Sequence, residues 1–268
     1  MILVAGGTGR LGSLLVQRLV AQGKTVRVLT RDIRRADHLP TDVDVMAGDV
    51  RDPASVARAV AGAVTVVSAV QGFAGPGAGS PGSVDRDGNK HLIDAASSID
   101  ADFVLMSVVG AAADSPLELF RMKWAAEQYL QESELRATIV RATAFRELWE
   151  ELMGQTAGRS GRPLVFGHGN NPINFVAVEQ VAACLEHAVA DVTTRGATVQ
   201  IGGADNLTFN QLAASVQAAA GRTRSARHVP PAALRVMAQT IGRVKPQLGR
   251  QARAALVMDQ ADLTFTCP

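Results

Sequence analysis

Cysteine is scarce in this chain: of 268 residues only Cys184 and Cys267 carry a thiol, far apart and outside any partner motif. That excludes a disulfide scaffold and a zinc ribbon. Long apolar runs are missing too. The longest small-apolar stretch, from Ala59 to Val70, is too short for a bilayer and is broken by Gly62, Thr65 and Ser68. Met1 leads straight into Ile2-Leu3-Val4-Ala5, which leaves no room for a basic segment, an apolar segment and a cleavage site. Nor does one sign of charge dominate, because 27 Lys and Arg face 25 Asp and Glu for a net +2. So small a balance argues against a general attraction to nucleic acid or to an anionic membrane. These absences predict a soluble, cytoplasmic protein with no membrane partner.

What is present is the composition of a compact globular chain, with 47% hydrophobic and 19% charged residues. At roughly 150 residues per domain, the length allows one large or two small domains. Ile2–Ala5, Thr25–Thr30, Val43–Ala47, Ala63–Val70, Phe103–Ser107 and Ala137–Arg141 read as buried strands, with Thr198–Ile201 a late addition. Between them, Ser13–Gln22 reads as a helix closed by Gly23. Asp52-Pro53 opens a second helix as N-cap and first-turn proline, and Ser115-Pro116-Leu117-Glu118 opens a third. Strands alternating with helices predict an α/β fold, a Rossmann-type doubly wound parallel sheet with right-handed crossovers. Beyond about Phe145 the alternation weakens. Residues 1–145 are therefore read as the sheet-bearing core, to which the strand near 197–201 returns, and 146–268 as a smaller C-terminal lobe. The segment from Gln71 to Gly82, rich in glycine and proline, follows a strand's carboxyl end, where such sheets keep their ligands.

Gly6-Gly7-Thr8-Gly9-Arg10-Leu11-Gly12 joins the first strand to the first helix. Glycines there allow a sharp turn and a close backbone approach to a pyrophosphate, while the helix N-terminus faces the anion. With a strand before it and a helix after it, this loop points to a dinucleotide, and Gly6, Thr8, Gly9, Arg10, Leu11 and Gly12 are its expected contacts. The end of the second strand selects the dinucleotide. A carboxylate accepts the ribose 2′-OH of NAD, whereas an arginine accommodates the 2′-phosphate of NADP. Here Thr30 is followed by Arg31 and Asp32, and Arg31 favours NADP(H) over NAD(H), with Asp32 the selector if the register shifts by one. Asp49 and Val50 follow the third strand, where the carboxylate either accepts the adenine amino group or caps the next helix in competition with Asp52.

The GGTGRLG loop, the VRVLTRD strand end, GDVRD, FVLMSVVGA and the K-x-x-A-E helix resemble atypical short-chain dehydrogenase/reductases of the NmrA-like group. The stretch from Asn171 to Ala182 resembles that group's substrate-side segment, and the likeness runs over about residues 1–210. It implies a Rossmann core binding NADP(H), a small substrate lobe, and either reductase activity or redox-linked regulation.

Most short-chain reductases place a tyrosine four residues before a lysine, so that the phenol gives a proton as hydride reaches a carbonyl carbon. The single tyrosine, Tyr129, is followed four residues on by Ser133, and four residues before Lys123 stands Leu119. The tyrosine-dependent mechanism is thereby excluded. Lys123 matches the lysine retained in the NmrA-like group. That resemblance gives it the nicotinamide ribose, with proton transfer as a further role, against a surface pair with Glu127 at i, i+4. Ser107, at the end of the fifth strand, either binds a substrate oxygen or caps the strand. Ala69, Val70 and Gln71 are expected to meet the cofactor through backbone and apolar groups. Asn89 is expected to fix its helix to the sheet. His168 is either a loop proton donor or a solvated side chain. Cys184-x-x-His187, lying within one helix, lacks further ligands, so no metal is expected.

Two functions follow. One is an NADPH-dependent reductase of a quinone, an enone or another carbonyl-type small molecule. The other is a non-catalytic NADP(H)-binding redox sensor acting on a protein partner. Residues 206–258 carry eight basic residues and no acid, whereas residues 1–205 carry 19 basic and 23 acidic ones. The basic stretch suits an acidic partner or solvated helix faces. With Phe209 its sole aromatic residue, nucleic acid is not the expected ligand.

Overall fold

The computed structural model describes residues 1–73 and 79–266, apart from the side chain of Arg159; residues 74–78 of the glycine-rich segment lie outside the described residues, as does Cys267. In chain order the elements begin with β1 Ile2–Ala5, α1 Arg10–Ala21, β2 Val26–Thr30, β3 Asp44–Ala47 and α2 Pro53–Val60. They continue with β4 Thr65–Ser68, α3 Asp87–Ser97, β5 Asp102–Val108, α4 Glu118–Glu132 and β6 Ala137–Ala142. Then come β7 Ala144–Phe145, α5 Arg146–Ala157, β8 Leu164–Phe166, β9 Pro172–Val176, α6 Val178–Ala190 and β10 Thr198–Ile201. The chain ends in β11 Asn206–Thr208, α7 Phe209–Ala219, β12 Arg227–Val229, α8 Pro231–Gln239, α9 Ile241–Val244 and α10 Pro246–Met258. Among the described residues no helix is long and apolar enough to cross a membrane.

Two compact units result: residues 1–142 with 178–201, and residues 143–177 with 202–268. In the first, seven parallel strands run in the order β3-β2-β1-β4-β5-β6-β10. One face buries Leu3, Leu29, Val66, Phe103 and Leu105 against Val56 of α2, Leu92 and Ile93 of α3, and Leu130 of α4. Successive side chains of a strand point to opposite faces, and the alternate residues Val4, Val28, Val67 and Val104 are equally buried, so both faces are covered. The strand order reverses between β1 and β4, and ligands of such sheets gather beyond the strand carboxyl ends at that reversal.

Three local readings need correction. The first helix starts at Arg10, not Ser13, with Gly9 as its N-cap. The helix expected to be capped by Ser115 starts at Glu118. The Ser115 hydroxyl instead accepts the Leu117 amide in the preceding turn at 3.3 Å. The lobe boundary also differs, because the return to the first unit includes all of α6. That helix buries Val181, Ala182 and Leu185 and lies along α1, where Arg18 pairs with Glu179 at 2.5 Å and Glu186 at 2.6 Å. Asp52 caps α2 as expected, accepting the Ala54 amide at 3.1 Å.

The second unit holds a three-stranded sheet, β11-β9-β7, and a parallel pair, β12-β8. Its core packs Phe209 between Trp149 and Phe175, with ring centroids 4.7 and 5.8 Å away, beside Met153, Val165 and Leu212. Just past α10, the Asp259 side chain is 1% exposed. It accepts the His168 amide at 2.8 Å, the Gly169 amide at 3.0 Å and the His168 ring at 2.7 Å. Burial alone would raise its pKa, but these donors outweigh burial and hold the carboxyl below the ordinary carboxylate range. A carboxyl depressed in the folded state adds stability above its unfolded pKa of about 4, and that stability is lost as pH falls through the folded value. Asp259→Asn is expected to lower the melting temperature by about 5 °C at pH 7. It should also flatten the fall in stability below about pH 4, as thermal melts across pH would read.

Candidate cofactor site

The turn from β1 into α1 is built by close backbone approach. Gly6 sits at φ +86°, and a Cβ there would stand 2.7 Å from the Ala69 carbonyl oxygen at the end of β4. A Cβ on Gly12 would lie 2.2 Å from the Gly6 oxygen, so α1 seats directly on the turn. No side chain caps α1 and its first turn carries no acid. The positive end of the helix is thus left for an anion, the arrangement a dinucleotide pyrophosphate requires. Thr8 Oγ1 meets Thr30 Oγ1 at 3.3 Å, which ties the loop to the end of β2.

Beyond β2 and β3 the charges are arranged locally. Asp32 accepts two hydrogen bonds from the Arg34 guanidinium, at 2.9 and 2.8 Å, and also the Arg34 amide. The Arg34 guanidinium holds its carboxyl below the ordinary range. Asp49 is engaged in the same way by Arg51, at 2.5 to 3.0 Å, and its carboxyl is likewise lowered, chiefly by Arg51 and with Arg31 adding to it. Asp49 therefore does not cap α2. Arg31 is exposed beyond the end of β2, and the two carboxylates that compete for a ribose or an adenine are already paired with arginines.

The ends of β4 and β5 are joined by Lys123, which α4 carries to a position 3% exposed. Its ammonium donates to the Val70 oxygen at 2.9 Å and the Met106 oxygen at 3.0 Å, and faces Asp85 Oδ1 at 3.1 Å. The other Asp85 oxygen accepts the Gly72 amide at 2.8 Å. Two of the three ammonium donors are thus taken by backbone carbonyls, and the charge is balanced by the Asp85 carboxylate as an ion pair. Burial pushes the fully buried Asp85 carboxyl above the ordinary range, with Lys123 pulling against that rise. The surface pair with Glu127 does not form. Glu127 is itself fully buried, where Arg141 binds it through two nitrogens, at 3.0 and 2.5 Å, and the Ser107 hydroxyl donates to it. Asn89 anchors α3 to β4, accepting from Ser68 at 2.5 Å and donating to the Asp85 backbone carbonyl at 2.6 Å.

The structure therefore brings Gly6, Ala69, Val70, Gly72, Lys123 and Ser107 to neighbouring strand ends, while Asp49 and Arg31 belong to the β2–β3 edge. Asp85, Glu127 and Arg141 join the site without having been picked out as site residues. Asp85 stands in a run of charges beside Arg86 and Asp87, and only burial sets it apart. Tyr129 donates to Asp94 at the surface, with Lys90 4.7 Å from its ring. His168 is 67% exposed and held by Asp259.

Breaking a buried pair from one side leaves the other charge uncompensated, at a cost of about 3–5 kcal/mol. Lys123→Met and Asp85→Asn are each expected to destabilise the protein by about that much. The double substitution Lys123→Met/Asp85→Leu should cost clearly less than the sum of the single effects. Urea unfolding of the variants supplies the cycle.

Comparison with known proteins bears on the family and the fold. Residues 6–191 match the NAD(P)H-binding family. The chain is 30% identical over 226 residues to the NAD(P)H azoreductase of Xenophilus azovorans, covering 83% of this chain and 74% of that protein. It is 33% identical over 158 residues to photosystem II assembly factor Ycf39 of Cyanophora paradoxa, covering 58% of this chain and 48% of that protein, so it spans about half of that relative. Among solved structures, NADPH-dependent quinone oxidoreductase QOR2 of Escherichia coli, complexed with NADPH, superposes with a TM-score of 0.80 at 18% identity, covering 99% of this chain and 91% of that one. The Citrobacter sp. triphenylmethane reductase complexed with NADP(H) gives 0.79 at 19% identity, covering 99% and 92%. At those identities the two structures speak for the fold. The family match and the azoreductase likeness carry the assignment: the chain belongs to the NAD(P)H-binding family of atypical short-chain dehydrogenase/reductases.

Proposed function

We propose that the protein is an NADPH-dependent reductase whose acceptors are quinones, enones or related small molecules that take hydride without a proton donor held in place beside them. The carrying observation is the commitment of the protons at the strand ends. Lys123 donates to the Val70 and Met106 carbonyls and is ion-paired with Asp85, and Ser107 gives its one proton to Glu127. With Leu119 where a phenol would stand, this site is poorly equipped to protonate an alkoxide as hydride arrives. A quinone suits it, because its reduced oxygens are weakly basic and draw their protons from water.

The residues present fit the cofactor: the glycine turn and uncapped α1 suit a pyrophosphate, and Arg31 suits a 2′-phosphate. NADPH, when bound, supplies the hydride. The chain's own share is positional. Lys123 fixes the carbonyls of Val70 and Met106, and Asp85 holds the Gly72 amide, so the floor under the nicotinamide end is set before the acceptor enters. Reductase activity in relatives named for azo compounds, quinones and triphenylmethane dyes supports this reading.

NADPH consumption with a panel of quinones, enones and aldehydes tests the proposal. Quinones or enones are expected to turn over and simple aldehydes to fail. Binding of NADPH without consumption across the panel would refute the reductase and favour a redox sensor. For the cofactor, Arg31→Ala is expected to narrow the preference for NADPH over NADH by about tenfold, since a charge-assisted hydrogen bond contributes roughly 1.5–3 kcal/mol. Titration of both nucleotides against the variant measures it.

A further inference from the structure

The basic, acid-free stretch from residue 206 to 258 belongs to the second unit, and its last portion has a definite form. Helices α8, α9 and α10 pack on one another. A Cβ on Gly249 would lie 2.5 Å from Gly242 Cα, so the backbones of α9 and α10 approach more closely than any side chain would permit. Of the chain between these glycines, Arg243-Val244-Lys245-Pro246 and Leu248 are exposed and Gln247 is half-buried. Val244 is 82% exposed and Val236 59%, with Ile241 and Leu248 also facing solvent. Four of the nine large apolar side chains exposed among the described residues thus fall between residues 236 and 248. Arg235, Arg243, Lys245 and Arg253 are exposed among them, and no carboxylate occurs between residues 206 and 258.

Exposed aliphatic groups interleaved with cations suit one kind of surface best. A protein interface draws on aromatic anchors and positioned hydrogen bonds, and this tip offers neither. Nucleic acid would call for stacking groups, yet Phe209 is the one aromatic residue in the stretch and it is buried in the core of its unit. An anionic bilayer needs no positional match: cations at headgroup level and aliphatic side chains a little deeper suffice. We infer that the α8–α10 tip docks on an anionic lipid surface, with Val244 and Leu248 entering the headgroup boundary and Arg243 and Lys245 meeting lipid anions. The contact is peripheral and stands whether or not the protein is a reductase.

Co-flotation of the intact protein with phosphatidylcholine vesicles, with and without about 30% phosphatidylserine, tests the inference. Each cation near such a surface is worth about fivefold in partitioning. Binding is expected to the anionic vesicles, at least tenfold above neutral ones, and to fall away in about 0.5 M salt. Val244→Asp and the pair Arg243→Glu/Lys245→Glu should each weaken it more than tenfold while leaving the melting temperature unchanged. The inference is overturned by absent or lipid-independent binding, or by variants that bind as the parent does. A Val244-dependent dimer that ignores vesicles would overturn it too, by giving the tip to a second copy, and tip-dependent binding to a nucleic-acid duplex alone would do the same.

Discussion

A lysine ammonium sealed among strand ends is the constraint on which the first unit's site depends. Taking such a charge out of water is costly, and the cost is offset here by two carbonyls and a carboxylate arriving from three different parts of the chain. Val70 follows β4, Met106 lies on β5, and Asp85 belongs to the turn that leads into α3. Each of these must be in place for the others to be satisfied. The pair therefore acts as a geometric lock on the region where the sheet order reverses, and Asn89 and Ser68 extend the same lock one turn deeper.

The lock also bears on the chemistry. An active-site proton donor needs a proton that can leave, and a donor already directed at a buried acceptor gives it up at the expense of that acceptor's satisfaction. Lys123 and Ser107 are both in that condition. The glycine turn is built on the opposite principle, since α1 begins after a glycine N-cap with no capping side chain and no acid in its first turn. One end of the site thus has its polar groups engaged internally, while the other leaves a helix end to be completed by a ligand. In the proposed reductase, a cofactor held at the phosphates beside a pre-set floor would ask little of the protein except alignment.

The sheet and the glycine turn were legible because they rest on short-range rules. Buried β-branched runs, Asp52-Pro53 and the GGTGRLG loop keep their meaning whatever the rest of the chain does. The allegiance of α6 was not legible, since nothing local in Val178–Ala190 says which unit buries its apolar face. The partners of Lys123 were hidden for a similar reason. Spacing on the helix suggested Glu127, but the sheet brings Arg141 to that glutamate and the β4–α3 connection brings Asp85 to the lysine. Helical neighbours compete with long-range partners, and once both groups are buried the better geometry decides. Ser115 shows the same competition within a turn, where its hydroxyl is taken by the Leu117 amide, three residues before the helix begins at Glu118.

Net charge illustrates how averages conceal such local arrangements. A total of +2 follows from 19 basic and 23 acidic residues before position 206, eight basic and no acidic ones through residue 258, and two acids after it. Screening confines exposed charges to interactions within roughly 8–10 Å at physiological salt, so a surface responds to the tip it meets and not to the sum over the chain. The final acids do not cancel the basic stretch: Asp259 is turned inward onto the His168 loop, and Asp262 accepts from the amide and hydroxyl of Thr264. The positive field along α8–α10 is thus left without a carboxylate of its own stretch, while the apolar groups beside it limit which surfaces can use that field.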